Sequence, residues 1–340
     1  MMYLMIAGGL FLLFVGGEGL VRGSVSVARR LGISELVIGL TLVGFGTSVP
    51  ELVTSLEAVG KGAVGISVGN VIGSNIANVL LVLGVAAILC PILVQPRAIA
   101  RDGSFMVAVT ALFCGLLWFD QFSRLTGILL VVLLVAYLVF SLVADQRRTD
   151  PAAEMHAHEG EAVEANYGLG LGLLIALAGL IGVVIGATLL VTGSVSLARS
   201  FGISETIIGL TIVAVGTSLP ELATSIVAAL RKKADVAIGN IIGSNIFNIL
   251  GIVGVTAIVF PFSVRGDPAG EAMARGEPVS LISMTDISTL ILSVVLLILF
   301  AVTGKRLSRW EGGILLGGYA LYMGLIFGLV PAPGALFNGG

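Results

Sequence analysis

A proline and a glutamate interrupt an apolar run, and the interruption occurs twice. Gly46-Thr47-Ser48-Val49-Pro50-Glu51 returns 170 positions later as Gly216-Thr217-Ser218-Leu219-Pro220-Glu221. Each run is long enough to cross a bilayer as a helix, which takes about 20 residues. Proline removes a backbone donor and leaves the carbonyl four residues back, at Gly46 and at Gly216, without its helical partner. A carboxylate in hydrocarbon is costly unless something pairs with it. One copy alone could be a proline kink with a glutamate facing a polar neighbour. Two matched copies point to a site that two halves of the chain build together.

The rest of the chain agrees with a membrane setting. Of its 340 residues, 57% are hydrophobic and 11% charged, and the mean hydropathy is +1.10. A soluble surface needs far more charge. The apolar runs are too long and continuous for barrel strands, so the expected class is an all-α integral membrane protein. A net charge of −2 gives no reason to expect a nucleic-acid partner. Cys90 and Cys114 lie in or beside apolar runs and read as small buried side chains, not a disulfide. The first apolar run has no basic region before it and no cleavage pattern, and reads as a transmembrane helix.

Ten spans are expected, at residues 3–27, 33–58, 66–90, 103–119, 125–144, 168–197, 203–230, 236–260, 283–303 and 310–330. Between spans five and six lies a polar connector, Asp145 to Asn166, with six acids, two arginines and both histidines. It reads as a solvated linker. The His156/His158 pair has a metal-binding spacing, which on its own is a weak signal.

The halves are repeats. Ile33–Glu51 and Ile203–Glu221 match at 13 of 19 positions, and Gly69–Asn78 and Gly239–Asn248 at 8 of 10. The register slips after span eight, where Arg265 to Ser280 is an insertion. The expected organisation is a first repeat at 1–144, a linker at 145–166 and a second repeat at 167–340. Five spans is an odd number, so the second repeat enters the membrane from the opposite side. Ten transmembrane helices as two inverted five-helix repeats is a plan of many secondary transporters, with the site at the midplane where broken helices meet. Loop Lys and Arg residues number twelve on one side and five on the other, Arg22 aside. That bias puts the linker in the cytoplasm and both termini outside a cell membrane.

Helical spacing sets Thr47 and Ser48 near Glu51, and Thr217 and Ser218 near Glu221. In the second motif Ser74 shares a face with Asn78, and Ser244 with Asn248. Spans two, three, seven and eight thus each offer hard oxygen ligands, with no histidine or thiolate. That donor set suits Ca²⁺ or Na⁺ and argues against zinc or copper. One Ca²⁺, two Na⁺ or two protons would each neutralise Glu51 and Glu221. A site with two fixed charges that must stay occupied is an electrostatic basis for exchange. No nucleophile–base pair appears in the spans, so the chain does not read as an enzyme.

The two motifs resemble the alpha-repeats of the calcium/cation antiporter superfamily, which includes the sodium/calcium exchangers. The resemblance covers both motifs in both repeats, in order. It implies Ca²⁺ exchanged for Na⁺ by alternating access, with spans one and six sliding past a core of spans two, three, seven and eight. It implies ligands at Thr47, Ser48, Glu51, Ser74, Asn78, Thr217, Ser218, Glu221, Ser244 and Asn248, and at the backbone carbonyls of Gly44 and Ala214. The transported ions and the lipid bilayer are the implied partners; no cofactor or obligate protein partner is implied. One position departs: where well-studied exchangers often have aspartate, this chain has Asn248. Two fixed charges in place of three favour H⁺-coupled exchange as the alternative. A channel or a non-transporting membrane sensor is the remoter one. The family's large Ca²⁺-sensing domains have no room in the linker.

The remaining polar residues have local readings. Ser34 and Ser204 read as N-caps, with Glu35 and Glu205 favouring the helix dipole. Glu18 either lines an ion path or pairs with Arg22. Asp102 and Asp286 read as helix caps, Asn70 and Asn240 as braces of the broken helix ends, and Trp118 and Trp310 as interface anchors.

Overall fold

The computed structural model describes residues 1–32, 45–94, 99–145, 166–230, 234–265, 281–304 and 306–329. The helices are α1 (Met2–Arg30), α2 (Val49–Gly60), α3 (Val64–Leu89), α4 (Ile99–Phe119), α5 (Arg124–Asp145), α6 (Leu169–Phe201), α7 (Glu205–Thr217), α8 (Leu219–Leu230), α9, α10 (Met284–Gly304) and α11 (Arg309–Ile326). Helix α9 runs through Ala234–Phe247, Asn248–Val253 and Gly254–Val259. A two-residue pairing, β1 (Ile92–Leu93) with β2 (Arg306–Leu307), is antiparallel.

Among the described residues, seven helices are long and apolar enough to cross a membrane. The pair α7–α8, bent by 41° at one residue, makes an eighth. This is an all-α, multi-pass membrane protein. Two expected spans go beyond that test. Span two includes residues 33–44, outside the described residues, and only its second part, α2, is seen. Helix α11 opens on Arg309, Trp310 and Glu311, which lowers its apolar character. Residues 146–165 of the linker, with His156 and His158, and the pair Ser34/Glu35 also lie outside the described residues.

Proline sets the breaks. Pro50 falls in the first turn of α2 and Pro220 in that of α8, where a missing N–H costs no helical bond. The chain before each proline cannot continue as regular helix. Ser48 and Ser218 occupy the two break points, with φ/ψ of −91°/7° and −81°/8°. The Gly46 carbonyl accepts the Val49 N–H at 3.3 Å, a tighter turn than the helix it replaces.

Glycine sets the closest packing. Gly9, Gly16 and Gly23 of α1 and Gly172, Gly179 and Gly186 of α6 recur every seven residues on facing stripes. A Cβ on Gly9 would lie 2.7 Å from the Leu190 nitrogen, and one on Gly16 2.8 Å from the Gly179 carbonyl. Contacts step down α6 as they step up α1, so the two helices are antiparallel. Small residues that let backbones touch are the usual basis of helix association in lipid. Gly17 of α1 faces the core instead, with Pro50 and Pro220 both against it.

A second glycine seam joins α3 to α7. Gly65, Gly69 and Gly73 meet Thr206, Gly209/Leu210 and Leu210/Ala214 in the same order, so these helices run parallel. Helices α3 and α9 cross antiparallel at the centre, where Ser74 meets Asn248 and Asn78 meets Asn245. Their walls are Val, Ile, Leu and Ala, almost wholly buried. Both helices widen into a π segment at the matched asparagine, Asn78–Val82 and Asn248–Val253. Such segments aim side chains away from the ordinary helical stripe and recur at functional sites.

Away from the centre, several expectations meet their partners. Ser204 caps α7, accepting the Ile207 N–H at 3.2 Å. Arg22 pairs with Glu18. Trp118 and Trp310 are exposed, and Cys90 and Cys114 are free thiols, half-buried and not buried as expected. Asp102 does not act as expected. It is buried, paired with Arg101 at 2.8 Å, and accepts the Tyr137 hydroxyl at 3.2 Å. Asp286 is part of a cap, taking the Ser283 N–H at 3.0 Å, but it also accepts the Tyr322 hydroxyl at 3.0 Å. A buried carboxylate needs donors, and each half supplies a tyrosine from its last helix.

Candidate cation site

The breaks at Ser48 and Ser218 bring the first turns of α2 and α8 together at the centre of the molecule. Glu51 and Glu221, one turn in, are fully buried. The breaks also decide which hydroxyl meets which acid. Ser48 donates to Glu221 Oε1 at 2.8 Å, and Ser218 to Glu51 Oε1 at 3.2 Å. Helical spacing predicts each serine beside the glutamate of its own copy. The chain is not helical at the serine, so each instead reaches across to the other half. Ser244 adds a third donor position, 3.4 Å from Glu221 Oε1.

The second motif closes the centre from both sides. Asn248 Nδ2 donates to Ser74 Oγ at 3.1 Å, and Asn78 Nδ2 to Asn245 Oδ1 at 3.0 Å. Ser74 in turn donates to the Val71 carbonyl at 3.2 Å. The amide nitrogens are thus spent on protein, and the amide oxygens are left over. The buried oxygens without a hydrogen-bond partner include one from each of the two acids and the two asparagines here: Glu51 Oε2, Glu221 Oε2, Asn78 Oδ1 and Asn248 Oδ1. They come in two repeat-related pairs. Buried acceptors are almost always satisfied, and these, at matched positions in the two halves, are suited to a positive partner. Two carboxylate and two amide oxygens are hard donors of the kind Ca²⁺ and Na⁺ take.

A family model described as "Sodium/calcium exchanger protein" matches residues 1–143 and 171–328. The chain belongs to the sodium/calcium exchanger family. Relatives within reach of this family match nearly end to end. The sodium/calcium exchanger MaX1 of Methanosarcina acetivorans is 33% identical, covering 96% of this chain and 98% of its own. The inner membrane protein YrbG of Escherichia coli is 34% identical, covering 95% and 96%. A solved structure of the sodium-calcium exchanger NCX_Mj, soaked with Na⁺ and Sr²⁺, aligns at a TM-score of 0.61 with 33% identity, over 94% of this chain and 96% of that one.

Within this exchanger chain the expected ligands do not all stand free. Gly44 lies outside the described residues. The Ala214 carbonyl accepts the Ser218 N–H at 3.1 Å, with the Thr217 hydroxyl at 3.4 Å. The Thr217 hydroxyl also sits 3.0 Å from the Val213 carbonyl and 3.1 Å from Asn70 Oδ1. Thr47 lies on the Glu221 side of the centre. Asn75 and Asn245 were not among the expected site residues. Asn245 holds Asn78 in place, and Asn75 Nδ2 is turned back on the Val71 carbonyl at 2.7 Å. The same Gly-Ser-Asn triplets contain them, so the signal was present in the repeat match itself.

Proposed function

We propose that this protein is a secondary antiporter that exchanges Ca²⁺ for Na⁺ by alternating access. The cation lies between spans two, three, seven and eight, and Glu51 and Glu221 supply its counter-charge. The unpaired oxygens of Glu51, Glu221, Asn78 and Asn248 carry this reading, because they form an acceptor-only set with a charge of −2 when ionised. The hydroxyls of Ser48, Ser218, Ser244 and Ser74, with those of Thr47 and Thr217, complete the shell. The Gly44 and Ala214 carbonyls join it when the broken ends open toward the ion.

The same reading gives the chain ten spans in two inverted five-span repeats, 1–144 and 167–340, joined by a cytoplasmic linker at 145–166. Residues 33–44 with α2, and α11, are the two spans beyond the eight. The opposed directions of α1 and α6 support inversion, since they are repeat mates. So does the reciprocal bonding of Ser48 and Ser218. Both termini are outside. A proton is the alternative counter-ion, and the neutral Asn248 favours it. The chain acts as a transporter and not as an enzyme.

The test is Ca²⁺ uptake into proteoliposomes loaded with Na⁺, against vesicles loaded with K⁺, choline or acid. Uptake that needs internal Na⁺ and is lost in Glu221→Gln supports the reading. Uptake that follows the pH gradient and ignores Na⁺ moves the protein to proton coupling. Flux at channel rates without a trans cation would sink both.

A further inference from the structure

Asn70 and Asn240 are repeat mates, and the structure treats them differently. Both are buried. Asn70 Nδ2 donates to the Glu51 carbonyl at 3.2 Å and to Ser55 Oγ at 3.1 Å. Its Oδ1 lies 3.1 Å from the Thr217 hydroxyl of the other half. One amide thus braces α2 at the residue that carries the site acid and ties it to the end of α7. The mates of those three partners are Glu221, Ser225 and Thr47. Asn240 bonds none of them: neither its Nδ2 nor its Oδ1 has a partner. Ser225 Oγ, the mate of Ser55 Oγ, is also buried without one.

A second difference runs the same way. Leu10 of α1 fills the space over Gly216 at the second break. Its repeat mate, Leu180 of α6, is 41% exposed. The first half's brace is made and the second half's is not, while the sequence for both is present. A buried amide with all its positions unpaired is unfavourable, and two-fold related sequence gives it a place where it would be paired.

We infer that Asn70 and Asn240 are alternate positioning residues for the two site carboxylates. In the arrangement seen here Asn70 holds Glu51 through its backbone carbonyl. In the oppositely facing arrangement Asn240 takes the Glu221 carbonyl, the Ser225 hydroxyl and the Thr47 hydroxyl, and Asn70 lets go. Each acid is then braced in one arrangement and released in the other. This rests on the alternating-access reading above, and extends it to residues outside the ion's own shell.

The experiment uses the full chain in nanodiscs and proteoliposomes, with Asn70→Ala and Asn240→Ala. Hydrogen exchange of peptides from α2 and α8 reads which brace is made. Equilibrium Ca²⁺ binding and Na⁺-driven Ca²⁺ uptake are measured beside it. Asn70→Ala should speed exchange in α2 and slow it in α8. Asn240→Ala removes atoms that bond nothing here, so it should fold and leave α2 protected. Its uptake rate should nevertheless fall roughly tenfold, the scale of a lost buried hydrogen bond in one state of a cycle. Wild-type uptake in Asn240→Ala would overturn the inference, as would loosening of α8 in that variant. Reduced equilibrium Ca²⁺ binding in Asn240→Ala would also overturn it, by making the residue a ligand. If wild type shows no Na⁺-driven uptake but the opposite shifts in α2 and α8 persist, the exchange reading fails and the alternating braces stand.

Discussion

In the proposed exchange cycle, Asn248 is the residue on which the ion balance turns. It stands at the mouth of a π segment, fully buried, with its nitrogen on Ser74 and its oxygen on nothing. The site proposed around it holds two acids, so Ca²⁺ would leave it neutral and two monovalent cations would do the same. Asn248→Asp is nearly isosteric and adds a third charge. An extra carboxylate in a low-dielectric site holds a divalent ion more tightly and admits one more monovalent ion per cycle. The expected outcome is tighter Ca²⁺ binding by at least about tenfold and Ca²⁺ exchange that becomes more electrogenic. Solid-supported membrane currents and equilibrium Ca²⁺ titration check it. Unchanged binding and unchanged charge movement would place Asn248 outside the ion's reach. Glu51→Gln is the converse change. It keeps the shape and removes a charge, and should abolish Ca²⁺ binding while the protein stays folded.

At the scale of helices, the last helix of each half is held by a matched tyrosine–aspartate pair. Tyr137 on α5 reaches Asp102 at the start of α4, and Tyr322 on α11 reaches Asp286 at the start of α10. Each aspartate keeps another partner, Arg101 or Ser283, when the tyrosine is lost. Tyr137→Phe and Tyr322→Phe should therefore cost about 1–2 kcal/mol each. Thermal unfolding in detergent should fall by a few degrees, with Ca²⁺ binding unchanged. A loss of Ca²⁺ binding would mean that these pairs, far from the acids in the chain, couple to the site. The pairs also show where sequence reading stopped. The broken spans, the two acids and the four helices around them follow from proline chemistry and one offset of 170. The tyrosines were hidden because, after the Arg265–Ser280 insertion, the offset becomes 184 at Asp286 and 185 at Tyr322, and 185 also aligns Gly127 with Gly312. Each of those glycines packs on a repeat-mate backbone, Gly127 on Gly254 and Gly312 on Gly84. The crossing of Ser48 to Glu221 was hidden for another reason. Helical spacing assumes a helix through Ser48, and Pro50 denies it. Nothing in residue spacing marks the π segments at Asn78 and Asn248, because their widening depends on what packs around them.

For the molecule as a whole, the question is which parts move together. Helices α1 and α6 touch backbone to backbone along most of their length through six glycines spaced by sevens. Tyr167, at the entry to α6, gives its N–H to Ser26 of α1 at 3.1 Å, and Arg30 donates to the Tyr167 carbonyl at 3.2 Å and to Asn166 Oδ1 at 3.4 Å. The pair should behave as one body. Its ties to the rest run through side chains instead: Leu13, Val183, Leu190 and Val191 pack in one apolar cluster with Ala58, Ile66 and Val213. Gly17 presents a smooth face to Pro50 and Pro220, and Lys61, after α2, donates to Thr192 of α6 at 2.7 Å from an exposed position. An exposed polar contact of that sort is weak, on the order of 1 kcal/mol or less. It can break and re-form within a transport cycle. Two cross-links separate these roles, each in a background of Cys90→Ala and Cys114→Ala. Arg30→Cys with Asn166→Cys, joined by a short reducible bis-maleimide, links α1 to the entry of α6. Lys61→Cys with Thr192→Cys, joined the same way, links α6 to the core. Exchange should survive the first link and stop with the second, then return when the second is reduced. If the first link also stops exchange, α1 and α6 slide on each other and the glycine stripes are a track. If the second leaves exchange intact, the body that moves is not α1 with α6, and the motion must lie among α2, α3, α8 and α9.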